Sequence, residues 1–288
     1  MSNASPGPEQ SRAGTGDVPP SAPSAAAPSA PGVLRPPRVN VLGIGLSAIN
    51  LDLAVDALAG ALQRNERGYV CVTGVHGVSE AQRDPALRAI LNHAMLNTPD
   101  GMPMVWMGRL QGFSQMRRVY GPDLLLRVCE YSRTRGFSHF FYGGAPGVAD
   151  ELKRRLEARF PGLNIVGTHC PPFRPLTPGE EDALAREVAA LKPDFFWVGL
   201  STPKQEKFMA QYWQRLEAKV FIGVGAAFDF HAGKVPQAPL WMQRFGLEWL
   251  FRFVCEPRRL WKRYLKNNPL FVFRAFCQLA GLKRYPLD

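Results

Sequence analysis

Asp100 is the carboxylate that its neighbours best equip to move a proton. It sits in Asn97-Thr98-Pro99-Asp100-Gly101, a Pro/Gly turn followed by the apolar residues Met102, Met104, Val105 and Trp106. A carboxylate at a strand end is well placed as a general base, and apolar surroundings raise its pKa towards the useful range by desolvation. The other role open to Asp100 is that of a plain turn residue or helix cap.

Four further segments could hold a ligand. Tyr142-Gly143-Gly144-Ala145-Pro146-Gly147-Val148 is a glycine-rich turn into a helix, where backbone N–H groups and the helix dipole can cradle phosphate. Gly143 and Gly144 equally serve simple turn geometry. In Gly199-Leu200-Ser201-Thr202-Pro203-Lys204-Gln205-Glu206-Lys207, Pro203 opens a helix. Gln205 there either caps and solvates the first turn or reads the amide edge of a base. Asp229 stands between Phe228 and Phe230, and a carboxylate in such company needs hydrogen bonds. It is either a structural cap or a ligand for ribose or sugar hydroxyls. Gly43-Ile44-Gly45-Leu46-Ser47-Ala48 matches GxGxxA after the first apolar run, a weak dinucleotide signal. The second strand ends in Thr73-Gly74-Val75-His76, without the acidic residue that would hold a ribose, so a tight strand-to-helix turn is expected instead.

The fifth feature is the carboxyl end. From Arg244 onward there are ten Lys/Arg and three Asp/Glu, a net of +7 within a chain total of +11. Arg259 and Arg263 are four apart and stack on one helix face. Arg252 joins them if helix resumes cleanly around Pro257. Three guanidiniums on one spot suit a diphosphate; the alternative is a solvated charge face. No Asp-x-Asp occurs in the chain, so an enzyme of nucleotide diphosphates built from it needs another source of positive charge, and these arginines could supply it. The same segment interleaves cations with Trp249, Phe251, Trp261 and Leu265, a pattern that fits a lipid surface.

The elements that must position these groups follow from periodicity. Val39 to Ile44, Tyr69 to Thr73, His139 to Tyr142, Asn164 to Gly167, Phe195 to Gly199 and Val220 to Val224 read as strands. Helical periods lie between them, at 51–64, 79–94, 123–135, 148–160, 178–191 and 203–216. Apolar strands alternating with helices imply an α/β, Rossmann-like parallel sheet covered on both faces, with ligands beyond the carboxyl ends of the strands. Three regions result: residues 1–36, Pro/Ala/Ser-rich and expected to be disordered; an α/β catalytic domain over 37–243; and a basic, amphipathic, helical appendage over 244–288. Five scattered cysteines without a CxxC pair argue against a zinc or redox site and for a reducing compartment. No signal peptide or spanning run is expected, so any membrane contact would be at the surface.

Taken together and in this order, these motifs resemble the WecG/TagA/CpsF glycosyltransferases, glycosyltransferase family 26. Pro99-Asp100-Gly101, Gly143-Gly144 with Pro146-Gly147, Pro203-Lys204-Gln205-Glu206, Gly225 with Phe228-Asp229-Phe230, Ala232-Gly233-Lys234, Leu247-Glu248-Trp249 and Glu256-Pro257 with Arg259 carry the resemblance, from about Val39 to Pro269. It implies an inverting enzyme of polysaccharide assembly that moves a sugar from a UDP-sugar to a polyprenyl-diphosphate-linked sugar on the cytoplasmic membrane face. Asp100 would be the general base, and UDP would lie at Gly143, Gly144, Gln205 and Asp229. Arg252, Arg259 and Lys262 or Arg263 would complete the site over the leaving diphosphate, with neither metal nor cofactor. Many members carry a Thr-Pro-Asn-like stretch where this chain has Thr73-Gly74-Val75-His76-Gly77. Thr73 therefore carries over weakly, and His76 enters as a candidate contact to either sugar or as a structural histidine. Self-association through exposed apolar residues of the tail is compatible with the pattern.

Two other functions compete. An NAD-type oxidoreductase would use the GxGxxA turn. A basic adaptor would bind nucleic acid or anionic lipid through the tail, with steep salt dependence for nucleic acid, and would leave the strand-end loops without purpose.

Overall fold

The computed structural model describes Met1 and residues 36–287, without the side chains of Arg259 and Arg263. The segment expected to be disordered thus falls outside the described residues except at its two ends. Leu34–Asp288 form one compact unit.

This unit opens with β1 (Arg38–Val41) and β2 (Ile44–Ser47), followed by α1 (Leu51–Gln63), β3 (Gly68–Thr73), α2 (Val75–Ala81) and α3 (Pro85–His93). Next come β4 (Leu96–Pro99), α4 (Met102–Leu110), α5 (Gly121–Ser132), β5 (Ser138–Gly143), α6 (Val148–Arg159) and β6 (Asn164–His169). The second half continues with α7 (Pro178–Leu191), β7 (Phe195–Gly199), α8 (Lys204–Tyr212), β8 (Val220–Gly223) and α9 (Ala227–His231). It ends with α10 (Leu240–Arg244), α11 (Glu248–Cys255) and α12 (Pro257–Leu279).

Six strands form a parallel sheet in the order β4-β3-β8-β7-β5-β6. Successive side chains of a strand point to opposite faces, so a sheet covered on both sides needs apolar residues at every position. The central strands meet this demand over most of their length. Tyr69, Phe140, Phe196 and Phe221 enter the core on one face, and their neighbours Val70, Phe141, Phe195 and Ile222 enter the core on the other. Inside this sheet the His139 ring accepts a hydrogen bond from the Trp197 indole at 2.9 Å, and burial lowers its pKa to about 3, so it is a neutral core histidine.

The α/β class expected from the sequence is the one observed, with four local differences. The first apolar run does not join the parallel sheet. β1 and β2 pair antiparallel as a separate hairpin, turning at Leu42 and Gly43, both with positive φ. GxGxxA is therefore a hairpin turn and a return strand rather than a strand-to-helix turn, which removes the geometric basis of a dinucleotide site. The helix expected at 79–94 is two helices, because Asp84 caps α3 by accepting from the Leu87 amide at 3.0 Å and Pro85 can only open a helix. β4 is a strand although its Asn and Thr lack an apolar signature; Asn97 and Thr98 are fully buried. Finally, helix does not run through Pro257: the backbone breaks at Glu256, and Pro257 begins α12 as a new helix.

The carboxyl-terminal helices pack on the α/β body. Leu260, Asn267, Phe271 and Ala275 are buried on one face of α12, and Phe271 and Ala275 join the same core cluster as Leu42 and Val78. The Gln278 amide spans the hairpin, accepting from the Leu42 N–H at 2.8 Å and donating to the Asn40 carbonyl at 2.8 Å. The opposite face of α12 is left open, with Trp261, Leu265, Val272, Phe273, Phe276 and Leu279 all exposed. Among the described residues no helix is long and apolar enough to cross a membrane.

Candidate functional site

The site gathers where the parallel strands end. β4 pairs with β3 as far as Thr73 opposite Pro99, and the Asp100 N–H then donates to the Thr73 carbonyl at 3.0 Å. Gly101 follows with φ +86°, a conformation that side-chain-bearing residues rarely adopt, and turns the chain into α4. Asp100 is thereby fixed at the lip between the two strands. Gly74 makes the room for it: a Cβ there would lie 3.0 Å from the Asp100 carbonyl oxygen and 3.5 Å from its Oδ2.

Burial pushes the Asp100 carboxyl up to about 7. Glu248 and Asp123 push in the same direction, while Arg118 and Arg252 pull it back. Arg118 stands in the segment before α5 and meets Glu248, the first residue of α11, at 2.8 Å. It also donates to the Gln243 side chain on α10 and lies over the Tyr120 ring, 4.3 Å from the centroid. Tyr120 is buried, hydrogen-bonded to Glu248, and packed against Phe230 with ring centroids 6.4 Å apart. The Arg252 guanidinium sits over the other aromatic of this pair, 5.7 Å from the Phe230 centroid, and its Nε is buried with no hydrogen-bond partner. A carboxyl that titrates near neutrality, faced by two guanidiniums, can accept a proton while the cations stabilise negative charge on a departing group.

The remaining candidates divide by what they touch. Thr73 is buried beside Asp100, with its Oγ1 unpartnered. Gly143, at φ +126°, runs so close to β7 that a Cβ would come within 2.6 Å of the Gly199 carbonyl oxygen. The Gly144 N–H is donated to that same carbonyl at 3.0 Å. One of the amides expected to face phosphate is therefore spent inside the fold, and α6 carries Asp150 and Glu151 in its first turn, where an anion would otherwise sit. Gln205 is also committed inward. It is buried, accepts from the Gly225 N–H at 3.0 Å and donates to Glu206 at 3.1 Å. Its amide thus braces the loops after β7 and β8 instead of presenting a free edge to a base. Burial raises the pKa of Glu206 in turn. Asp229 lies half-buried in the first turn of α9 after β8, and its carbonyl accepts the Lys234 N–H at 2.8 Å.

His76 faces the tail. Its Nδ1 is 3.3 Å from the Asn267 amide nitrogen on α12 and 3.7 Å from Glu80, which joins α2 to the carboxyl-terminal helix. Lys262 is exposed, with its ammonium 5.5 Å from the ring centroid of its neighbour Trp261. The side chains of Arg259 and Arg263 lie outside the described residues. The structure thus brings Asp100, Thr73 and Arg252 together. The break at Glu256 removes the continuous helix on which Arg252, Arg259 and Arg263 were expected to share a face. Among the described residues, no group of three or more His, Cys, Asp or Glu is arranged to hold a metal ion.

Sequence reasoning missed Arg118, Tyr120 and Gln243, and took Glu248 only as part of a motif. The available signal was Arg117-Arg118-Val119-Tyr120 just ahead of Gly121-Pro122, a basic pair and an aromatic at a helix start.

Comparison with known proteins bears on the family. Residues 39–285 match the Glycosyl transferase WecG/TagA/CpsF family. A protein of Bacillus spizizenii (strain ATCC 23059 / NRRL B-14472 / W23), N-acetylglucosaminyldiphosphoundecaprenol N-acetyl-beta-D-mannosaminyltransferase, is 31% identical over 211 residues, covering 73% of this chain and 79% of the relative. A protein of the same name from Bacillus subtilis (strain 168) is 30% identical over 176 residues, covering 61% of this chain and 66% of the relative. The chain belongs to the WecG/TagA/CpsF family of glycosyltransferases.

Proposed function

We propose that this protein is an inverting glycosyltransferase that moves a sugar from a UDP-sugar to a sugar carried on a polyprenyl diphosphate, with Asp100 as general base. The observation that carries this reading is the carboxyl at the strand-end lip, raised to about 7 by burial and faced by Arg118 and Arg252. In the step, the acceptor hydroxyl oxygen attacks the anomeric carbon and its proton passes to Asp100. The bond from that carbon to the diphosphate oxygen breaks on the opposite face, which inverts the centre. Negative charge builds on the leaving UDP, and Arg252, with Arg259, Lys262 or Arg263 from the tail, stabilises it without a metal ion.

The names of the two relatives support the acceptor class, since both are named for transfer to N-acetylglucosaminyldiphosphoundecaprenol. The open apolar face of α12, flanked by the exposed Arg258, Lys262 and Lys266, supports docking on the cytoplasmic surface of the cell membrane, where such an acceptor is anchored. The product then enters a cell-surface or exopolysaccharide.

The test is turnover of a panel of UDP-sugars, led by UDP-N-acetylmannosamine, with a synthetic N-acetylglucosaminyl diphosphate lipid in the presence of EDTA. Transfer with inverted anomeric configuration is expected. Hydride transfer from a nicotinamide cofactor with no glycosyl product would contradict the reading.

A further inference from the structure

We propose that Glu248 is a positioning residue for the transfer reaction: it holds the Arg118 guanidinium at the lip beside Asp100 and so ties the base to the docking of α11. This rests on the reading of Asp100 as the base.

The geometry is that of a built socket. Arg118 and Glu248 meet at 2.8 Å, with side chains only 13% and 17% exposed. Gln243, itself 7% exposed, is fixed by donating its amide to the Ala238 carbonyl at 2.7 Å, and it accepts from Arg118. The Tyr120 ring supports the guanidinium from its face. A guanidinium is a rigid, planar fork of donors, so partners on α10 and α11 dictate where its charge lies. An exposed ion pair would be worth little. This one is enclosed and shared among several partners, the arrangement in which a pair fixes geometry.

The charged and titratable groups that face Asp100 come from three places. Glu248 and Arg252 belong to α11, Arg118 and Tyr120 to the segment before α5, and Asp123 to α5 itself. The neighbouring β3 loop contributes the uncharged Thr73 and Gly74. Neutralising Glu248 removes a negative neighbour of Asp100 and leaves the Arg118 charge uncompensated by its ion-pair partner. Both effects favour the ionised carboxylate. Glu248 and Arg252 lie on one helix, so both charges reach Asp100 only with α11 seated.

Two measurements on the full chain test the proposal. The first is the pH profile of kcat/KM for the wild type, Glu248→Gln, Glu248→Asp and Arg118→Met, with thermal unfolding recorded for each. In Glu248→Gln the acid limb should move down by about one pH unit, in Arg118→Met it should move up, and Glu248→Asp should return it towards wild type. The second measurement is independent of turnover: titration of the Asp100 carboxyl by carbon-13 NMR, assigned with Asp100→Asn. Its midpoint should drop in Glu248→Gln. An unchanged midpoint in folded Glu248→Gln, with only a lower kcat, would overturn the proposal. A wild type that transfers no sugar but whose Asp100 midpoint still shifts in Glu248→Gln would sink the transferase reading and leave the coupling intact.

Discussion

The amide of Asp100 donates to the carbonyl of Thr73 across 3.0 Å, extending the pairing of β3 and β4 one residue beyond the strand. Asp100 is thereby held by the sheet itself. That rigidity has a cost, because the carboxyl is enclosed where its charge is poorly solvated.

The cost makes stability depend on pH. The folded-state pKa of Asp100, about 7, lies above its ordinary value of 3.8, so its contribution is intact below pH 4 and is lost as pH rises through 7. Asp100→Asn should therefore match the wild type in thermal unfolding at pH 3.5 and exceed it at pH 8.5, by up to about 4 kcal/mol, or several degrees in Tm. Equal stability at pH 8.5 would contradict this.

The same value sets the rate profile. A base must be ionised, so kcat/KM should rise with a midpoint near pH 7. A rising limb with its midpoint near pH 4 would assign the step to a solvated carboxylate instead.

Membrane docking is best tested without shortening the chain. Deleting the tail would also remove Leu260, Phe271 and Ala275 from the core, so loss of function would be ambiguous. Phe273→Ser with Phe276→Ser alters only exposed side chains. This variant should keep the wild-type Tm within a few degrees and lose most of its sedimentation with anionic phosphatidylglycerol vesicles. Undiminished vesicle binding, or a change in oligomeric state instead, would assign that face to another partner.

Gly143→Ala should be severely destabilising. The new Cβ would meet the Gly199 carbonyl oxygen at 2.6 Å at a φ of +126°. Strain of this kind costs about 1–3 kcal/mol before the clash is counted, and chemical denaturation should show a loss of at least that size. A loss below 1 kcal/mol would mean that the β5–β7 mouth is more yielding than its geometry implies.

The parallel sheet was legible because β5, β7 and β8 carry unbroken apolar runs (Phe140 to Tyr142, Phe195 to Val198, Val220 to Ile222), which only a sheet buried on both faces requires. The hairpin was not, since Val39 to Ile44 has the same composition and only the positive φ at Leu42 and Gly43 reverses it. β4 escaped for the opposite reason: Asn97 and Thr98 look like loop residues, yet they are buried, Asn97 donating its backbone N–H to the Ser47 hydroxyl and its side-chain amide to the Leu91 carbonyl, and Thr98 donating its hydroxyl to the Val119 carbonyl. In the site, Asp100 was readable from its turn and Arg252 from the basic tail. Arg118 was not, because its role comes from α10 and α11 folding back over it from more than a hundred residues downstream. Gln205 is a related case: an amide at a strand-end loop looks fully available until the Gly225 N–H and Glu206 engage it.

The most direct test of the account replaces Asp100 by Asn and measures two quantities on one preparation: glycosyl transfer to the lipid-linked acceptor, and UDP binding by calorimetry. Loss of a general base predicts transfer reduced by about 10²–10⁴-fold, with the Kd for UDP within a few-fold of wild type. Near-normal transfer by the Asn variant would contradict the central claim.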